Sequence, residues 1–236
     1  MKFDRTIFLP GGDRQFAHLK SNAKIAKSNV LIIGSNTNQL TKFFVAEGAA
    51  TVSIIVDDHD SLIQLRYLLQ NDKNISLKLM GYTKTDFEDF SFNLVFAQAS
   101  VSSKNRNKII KEIRRILKPG GYLNVGEIVS LKDNTPVFIK NIWDVGNIDP
   151  LNIKDINNYY ESRGFETVSV KDLSDQLQEY YILSKNLLDM TSSLSKEEKS
   201  YHKKMLKRIS HESNAYLKLG GNKFMGFTSV IFRKAN

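Results

Sequence analysis

Short apolar runs alternate with helical periods along most of this chain. Val30-Leu31-Ile32-Ile33 is continuous, apolar and ends at Gly34, as a strand buried on both faces would. Leu40, Phe43, Phe44 and Glu47 then follow a helical period closed by Gly48. The same pattern predicts a strand over 51–56 that ends in Asp57-Asp58, a helix over 61–70 and a strand over 75–80. A strand over 92–96 and a helix over 105–117 come next. Lys118-Pro119-Gly120-Gly121 should stop that helix, because proline cannot continue the ladder and glycine permits a left-handed turn. A strand over 122–129, a helix over 153–162 capped by Gly164 and a strand over 167–170 complete the alternation. A mostly helical insert over about 174–219 separates these from a last strand over 224–232.

Strands that alternate with helices imply an α/β, doubly wound, mostly parallel sheet. We expect seven strands, six of them parallel and the last antiparallel, with a helical lid inserted before the last and a smaller piece at 130–150. No linker divides the chain and no repeat recurs in it, so 1–236 reads as a single domain.

Composition narrows the chemistry. The 236 residues contain no cysteine, which removes disulfides, cysteine–zinc sites, thiol catalysis and iron–sulfur ligation from consideration. No apolar run approaches the roughly 18–20 residues that span a bilayer, and residues 1–10 lack the apolar core of a secretory signal. The expectation is a cytoplasmic protein with no membrane partner. The formal charge of +9 suggests an anionic partner. Lys104, Lys108, Lys111, Arg115 and Lys118 share one helical face, and Lys196, Lys199, Lys203 and Lys207 make a second stripe. The plainer reading is two solvated faces. No aromatic residue interleaves with the first stripe, which argues against nucleic acid. The four histidines, His18, His59, His202 and His211, have no tight ligand spacing, so no metal is expected.

Three features converge on the carboxyl edge of the sheet, where open parallel sheets bind ligands. Gly34 opens the turn after the first strand, with Ser35 and Asn36 following, and the next helix offers free N–H groups there. Asp57, with Asp58 beside it, ends the second strand, where a carboxylate can accept two hydrogen bonds from a ribose diol. Gly81 and Tyr82 follow the third strand and are placed to flank an adenine; Gln98 follows the fourth. Taken singly, Gly34 is also an ordinary turn glycine, and the two aspartates also suit a helix N-terminus. The order strand–Gly–helix–strand–Asp points to a nucleoside-type cofactor.

The run from Val30 to Val125 resembles a class I S-adenosylmethionine-dependent methyltransferase. Val30-Leu-Ile-Ile-Gly-Ser-Asn-Thr-Asn-Gln-Leu-Thr41 stands at that family's first motif, and Val56-Asp57 matches the acidic end of its second strand. Phe87-Glu-Asp-Phe-Ser-Phe-Asn-Leu-Val95 is similar to its approach to strand four. Ile113-Arg-Arg-Ile-Leu-Lys-Pro-Gly-Gly-Tyr-Leu123 is the most specific likeness, resembling R-x-L-K-P-G-G-x-L. The resemblance implies a Rossmann-like methyltransferase fold with S-adenosylmethionine as cofactor, bound by Gly34, Ser35, Asn36, Asp57, Asp58, Gly81, Tyr82 and Gln98. It divides the chain into a lead-in helix region at 1–29, a cofactor-binding half at 30–129, an acceptor and lid region at 130–222 and a final strand at 223–236. Four positions depart from the family: Ile32 stands where an acid is usual, Asn36 and Asn38 where glycines are usual, and Gly81 where an acid often meets the adenine amino group.

The resemblance to small-molecule enzymes implies methyl transfer to N, O or C of a small acceptor. Such a transfer depends more on in-line approach than on a strong acid or base. Aromatic faces attract amines and the sulfonium, so Trp143 with Asp144 and Tyr180 with Tyr181 are acceptor-site candidates, with His18 from the lead-in helix. Phe16, Tyr159, Tyr160 and Tyr216 also fall in segments expected near the carboxyl edge. The degenerate turn supports a second reading, a methyltransferase-like protein that has lost catalysis and serves as a partner or regulatory subunit. Besides the small-molecule acceptor, a protein partner or a second copy of the chain, as a homo-oligomer, is an open expectation. An RNA methyltransferase lacks support because no RNA-binding module or Asn/Asp-Pro-Pro-aromatic motif is present. A nicotinamide dehydrogenase lacks the rest of Gly-x-Gly-x-x-Gly.

Overall fold

A computed structural model describes residues 7–69, 73–190 and 210–235. The elements run α1 (Gly12–Lys20), β1 (Asn29–Ile33), α2 (Asn38–Ala46), β2 (Thr51–Val56), α3 (His59–Leu68), β3 (Ile75–Leu79), β4 (Phe92–Gln98) and α4 (Arg106–Ile116). They continue with β5 (Leu117–Ser130), α5 (Val137–Val145), β6 (Leu151–Asn152), α6 (Ile156–Glu161), β7 (Phe165–Asp172), α7 (Ser174–Met190) and β8 (Met225–Lys234). Residues 210–218 are also helical. The stripe Lys196, Lys199, Lys203 and Lys207, His202 and the middle of the expected lid lie outside the described residues.

The sheet has the order β3-β2-β1-β4-β5-β8-β7. β1 to β5 are parallel in register, and β8 runs antiparallel between β5 and β7. Strand order therefore reverses between β1 and β4, and the carboxyl ends of those strands open there. Two corrections to the sequence reading follow. The sheet has eight strands rather than seven, because the two-residue β6 pairs with the end of β5. Leu117 also pairs with Phe92 before the chain slips to put Tyr122 opposite Leu94, so Pro119-Gly120-Gly121 form an irregularity inside a strand rather than a loop before one. Gly120 takes φ +69 at that slip.

Alternate residues of each central strand face opposite layers, as the pleat requires. Leu31 and Ile33 pack with Ile109, Ile113 and Tyr160 from α4 and α6. Val30 and Ile32 pack with Phe16, Leu40, Phe44 and Leu65 from α1, α2 and α3. A third cluster joins α5 and α7 to β8 through Ile139, Trp143, Leu177 and Phe227. The first two layers sandwich the sheet, and the third lies beyond its β5–β8 end.

Candidate cofactor site

Gly34 follows β1 with φ +124, and a Cβ built there would lie 3.1 Å from the Ser100 Cβ, so only glycine fits without displacing the β4 loop. Asn36, exposed, takes φ +57, a left-handed conformation that asparagine tolerates better than most residues. The turn thus keeps its bend where the resembled family uses glycine. Asn38 starts α2 as a helical residue. Thr37 closes the turn by donating from Oγ1 to the Gly34 carbonyl at 3.5 Å.

Across the β1–β2 boundary, Asp57 lies exposed at the end of β2. The Tyr82 hydroxyl donates to its Oδ1 at 3.1 Å. Burial, and then the Asp57 charge, push the Tyr82 phenol well above its ordinary pKa, so it remains a donor. Asp58 accepts the Ser61 N–H at 2.8 Å and caps α3. A cleft of about 340 Å³ lies here. It is lined by Asp57, Gly81 and Tyr82 on one side, Ser100, Ser102, Ser103 and Asn105 from the β4–α4 loop, and Gly146 to Ile148 after α5.

One buried ion pair ties the last two walls together. Glu127 in β5 is fully buried and accepts from Arg106 Nε at 2.9 Å and from the Tyr160 hydroxyl at 2.5 Å. Ser102 Oγ donates to its other oxygen. Arg106 also donates to the Asp149 carbonyl, and the Asp149 N–H donates to the Ser102 carbonyl at 3.0 Å. Burial alone would lower the Arg106 pKa, but Glu127 holds it above the usual value.

Gln98, also buried, donates through Nε2 to the Pro10 carbonyl at 2.8 Å and the Gly12 carbonyl at 3.1 Å. It thereby pins the turn before α1 to the end of β4. Gln98 Oε1 and Ser100 Oγ are buried and unpaired, which asks for a further partner.

The structure therefore brings Gly34, Asp57, Gly81, Tyr82 and Ser100 to one edge, with Ser35 and Asn36 in the adjoining turn. The acceptor candidates lie elsewhere. His18 sits between β7 and β8, Nδ1 2.9 Å from Ser229 Oγ and Nε2 2.8 Å from Ser169 Oγ. Its pKa is lowered by burial and then by Lys171. Trp143 is buried in the third cluster, with its indole N–H on Met225 Sδ at 3.2 Å, while Asp144 is exposed. Tyr181 is buried 4.7 Å from the Tyr216 ring, and Tyr180 packs 5.3 Å from Phe8. Phe16 and Tyr160 are core residues, not edge residues. Sequence reasoning missed Ser100, Ser102 and Asn105. Their one signal was position, in the loop after the strand where order reverses.

An eight-stranded, mostly parallel α/β sheet with this edge defines a Rossmann-like methyltransferase fold. Residues 31–125 match the family model described as a methyltransferase domain. In that stretch and in fold the chain resembles class I S-adenosylmethionine-dependent methyltransferases, and the domain implies S-adenosylmethionine as cofactor. The phosphoethanolamine N-methyltransferase 2 of Haemonchus contortus, solved with S-adenosyl-L-methionine, is 15% identical at a TM-score of 0.78, over 97% of this chain and 54% of that one. The cyclopropane synthase MmaA2 of Mycobacterium tuberculosis is 12% identical at a TM-score of 0.76, over 94% of this chain and 83% of that one. The [4+2]-cyclase SpnF is 16% identical at 0.77, over 94% and 80%. None of the curated proteins matches the chain. Among the described residues no helix is long and apolar enough to cross a membrane.

The edge suits that cofactor on its own chemistry. A carboxylate held by a tyrosine faces a cleft with a neutral polar lining, as a nucleoside needs. The unpaired Ser100 hydroxyl lies against Gly34, whose positive φ and close approach to Ser100 disfavour a side chain.

Proposed function

We propose that the protein transfers a methyl group from S-adenosylmethionine to a small-molecule acceptor, with 1–236 acting as one methyltransferase domain. The observation that supports this most directly is the Asp57–Tyr82 pair at the mouth of the cleft beside Gly34. Asp57 would accept the ribose hydroxyls, with Tyr82 orienting its carboxylate. Gly34, Ser35 and Asn36 would run along the amino-acid end, and Gly81 would flank the adenine. Gln98 would hold the turn before α1 over the end of β4 and exclude water there. Asp58 contributes through the α3 cap and its charge. When bound, the cofactor supplies an electrophilic methyl group, and the chain's part is to orient its partners and keep the site dry. His18, Trp143, Asp144, Tyr180 and Tyr181 shape the region beyond the edge through packing rather than direct contact with the acceptor, in our reading.

A second reading is a catalytically silent relative that acts as a partner subunit. The activities for which SpnF and MmaA2 are named, a cyclase and a cyclopropane synthase, support the view that this fold serves chemistry beyond simple methyl transfer. Calorimetric titration with S-adenosylhomocysteine, followed by transfer assays on amine, hydroxyl and carbanion acceptors, separates the two. Binding with transfer supports the enzyme. Absence of binding by the intact protein would sink it.

A further inference from the structure

A second opening, of about 540 Å³, lies along the outer face of α4. It is lined by Lys84, Lys108, Lys111, Arg114, Lys234 and Phe90. Arg115, Asp89 and Glu112 also reach it, and the one guanidinium is shared between the two carboxylates, which leaves this trio with one net negative charge against the five other cations. Arg115 bonds Glu112 at 2.6 Å and Asp89 at 2.7 Å. Among the described residues no carboxylate lies within ion-pair distance of the other five cations.

Lys234 is the telling member. It is 7% exposed, and its ammonium has one acceptor, the Leu117 carbonyl at 2.7 Å. A buried ammonium with no counterion is costly. Burial, and then the neighbouring Arg114, lower its pKa, against an opposing pull from Asp89.

Phe90 supplies what the helix stripe lacked in sequence. It comes from the turn before β4, is half-exposed and carries the Lys234 ammonium 4.4 Å above its ring. Its φ is +58, an outlier for a bulky side chain, held by an N–H bond to the Arg115 carbonyl at 3.2 Å. Strain that persists in an exposed aromatic residue points to a use for the ring. Cations that follow a groove beside an exposed ring are the arrangement that takes phosphate and base together.

We propose that this groove is a binding site for a nucleotide phosphate, with phosphate oxygens on Lys111, Arg114 and Lys234 and the base against Phe90. A free nucleotide and a segment of single-stranded RNA share this chemistry. The site is separate from the Asp57 cleft, although Thr83 borders both.

The test titrates the full chain with ADP, with inorganic phosphate and with a labelled single-stranded RNA octamer. The proteins are wild type, a Lys111→Ala/Arg114→Ala double variant, Phe90→Gly and Asp57→Ala. We expect ADP or the octamer to bind, and the double variant to weaken that binding by about 10-fold or more. Asp57→Ala should leave it unchanged, which separates this site from the cofactor cleft whether or not that cleft binds S-adenosylhomocysteine. Phe90→Gly should weaken nucleotide but not phosphate binding, while raising the unfolding midpoint because glycine accepts positive φ. A residue that only packs would not move both readouts in these opposite senses. ADP alone identifies a free nucleotide as the ligand; tighter octamer binding with a steep salt dependence identifies RNA. No binding of either at millimolar ligand overturns the proposal. So does binding indifferent to the double variant, binding lost in Asp57→Ala, or phosphate binding as tight as that of ADP.

Discussion

The Tyr82 hydroxyl donates a 3.1 Å hydrogen bond to Asp57 Oδ1, joining the loops after β3 and β2 across the mouth of the cleft. The bond leaves the other Asp57 oxygen available and fixes the plane of the carboxylate. Removing the carboxylate should therefore cost more than removing the hydroxyl that orients it. Asp57→Ala loses charge-assisted bonds of about 1.5–3 kcal/mol, or about 10- to 150-fold in S-adenosylhomocysteine affinity. Tyr82→Phe loses a bond of about 0.5–1.5 kcal/mol, or about 2- to 13-fold. Calorimetry reads both. Equal losses would show that Tyr82 itself touches the ligand.

The Arg106–Glu127 pair gives a stability prediction. Arg106→Met leaves the Glu127 carboxylate buried beside two hydroxyl donors and no cation. Breaking a buried pair from one side costs about 3–5 kcal/mol. Arg106→Met with Glu127→Leu removes both charges, so the double variant should be more stable than Arg106→Met alone. Urea unfolding of wild type, Arg106→Met, Glu127→Leu and the double variant checks the order. A double variant that loses the sum of the single losses would show that the two side chains act independently.

Fold and site were legible to different depths. The runs at 30–33 and 51–56 read as strands because strands covered by helices on both faces are apolar throughout, and the structure extends or matches them as Asn29–Ile33 and Thr51–Val56. β6 escaped notice because two residues carry no period. β5 was placed too late because a Pro-Gly-Gly stop looks the same whether the chain leaves the sheet or slips within it. Asp57 and Gly34 were legible because their place at strand ends follows from chain order. Ser100 was not, since its role depends on lying against Gly34 across the sheet. Phe90 shows the same limit. Pattern along α4 finds no aromatic neighbour for its lysines, while the fold supplies one from the turn before β4.

Glu112 carries a pH prediction. Burial would raise its pKa, but hydrogen bonds from Arg115 and Thr85 prevail and hold it at about 2, below the ordinary 4.5. A carboxyl with a depressed folded pKa stabilises the native state above its unfolded pKa, and that stabilisation disappears as pH falls through the folded value. Glu112→Gln should therefore be less stable than wild type at pH 7. The gap should shrink as pH falls from about 4.5 toward 2. Chemical unfolding of both proteins across that range measures it. A gap that stays constant with pH would assign the loss to packing instead of charge.

The turn after β1 decides whether the asparagines keep the cofactor site or close it. Asn36 occupies φ +57 and is exposed, so Asn36→Gly removes a conformational cost without taking a side chain out of the core. Asn38 is different, because it is the first residue of α2 and glycine there lowers helix propensity by a few tenths of a kcal/mol. The double change should therefore leave stability near that of wild type. Its effect on the ligand then reports geometry alone. If the asparagines only bend the chain, S-adenosylhomocysteine affinity stays within a few-fold. If their amides bond the cofactor's amino-acid end, affinity falls by about 2- to 13-fold for a neutral bond. We expect the first result, since Asn36 already adopts the glycine conformation and points its side chain to solvent. Binding gained only by the double variant would mean that the natural turn blocks the site. The protein would then be a methyltransferase fold kept for its surfaces, with the Asp57–Tyr82 pair a relic of a cofactor it no longer holds.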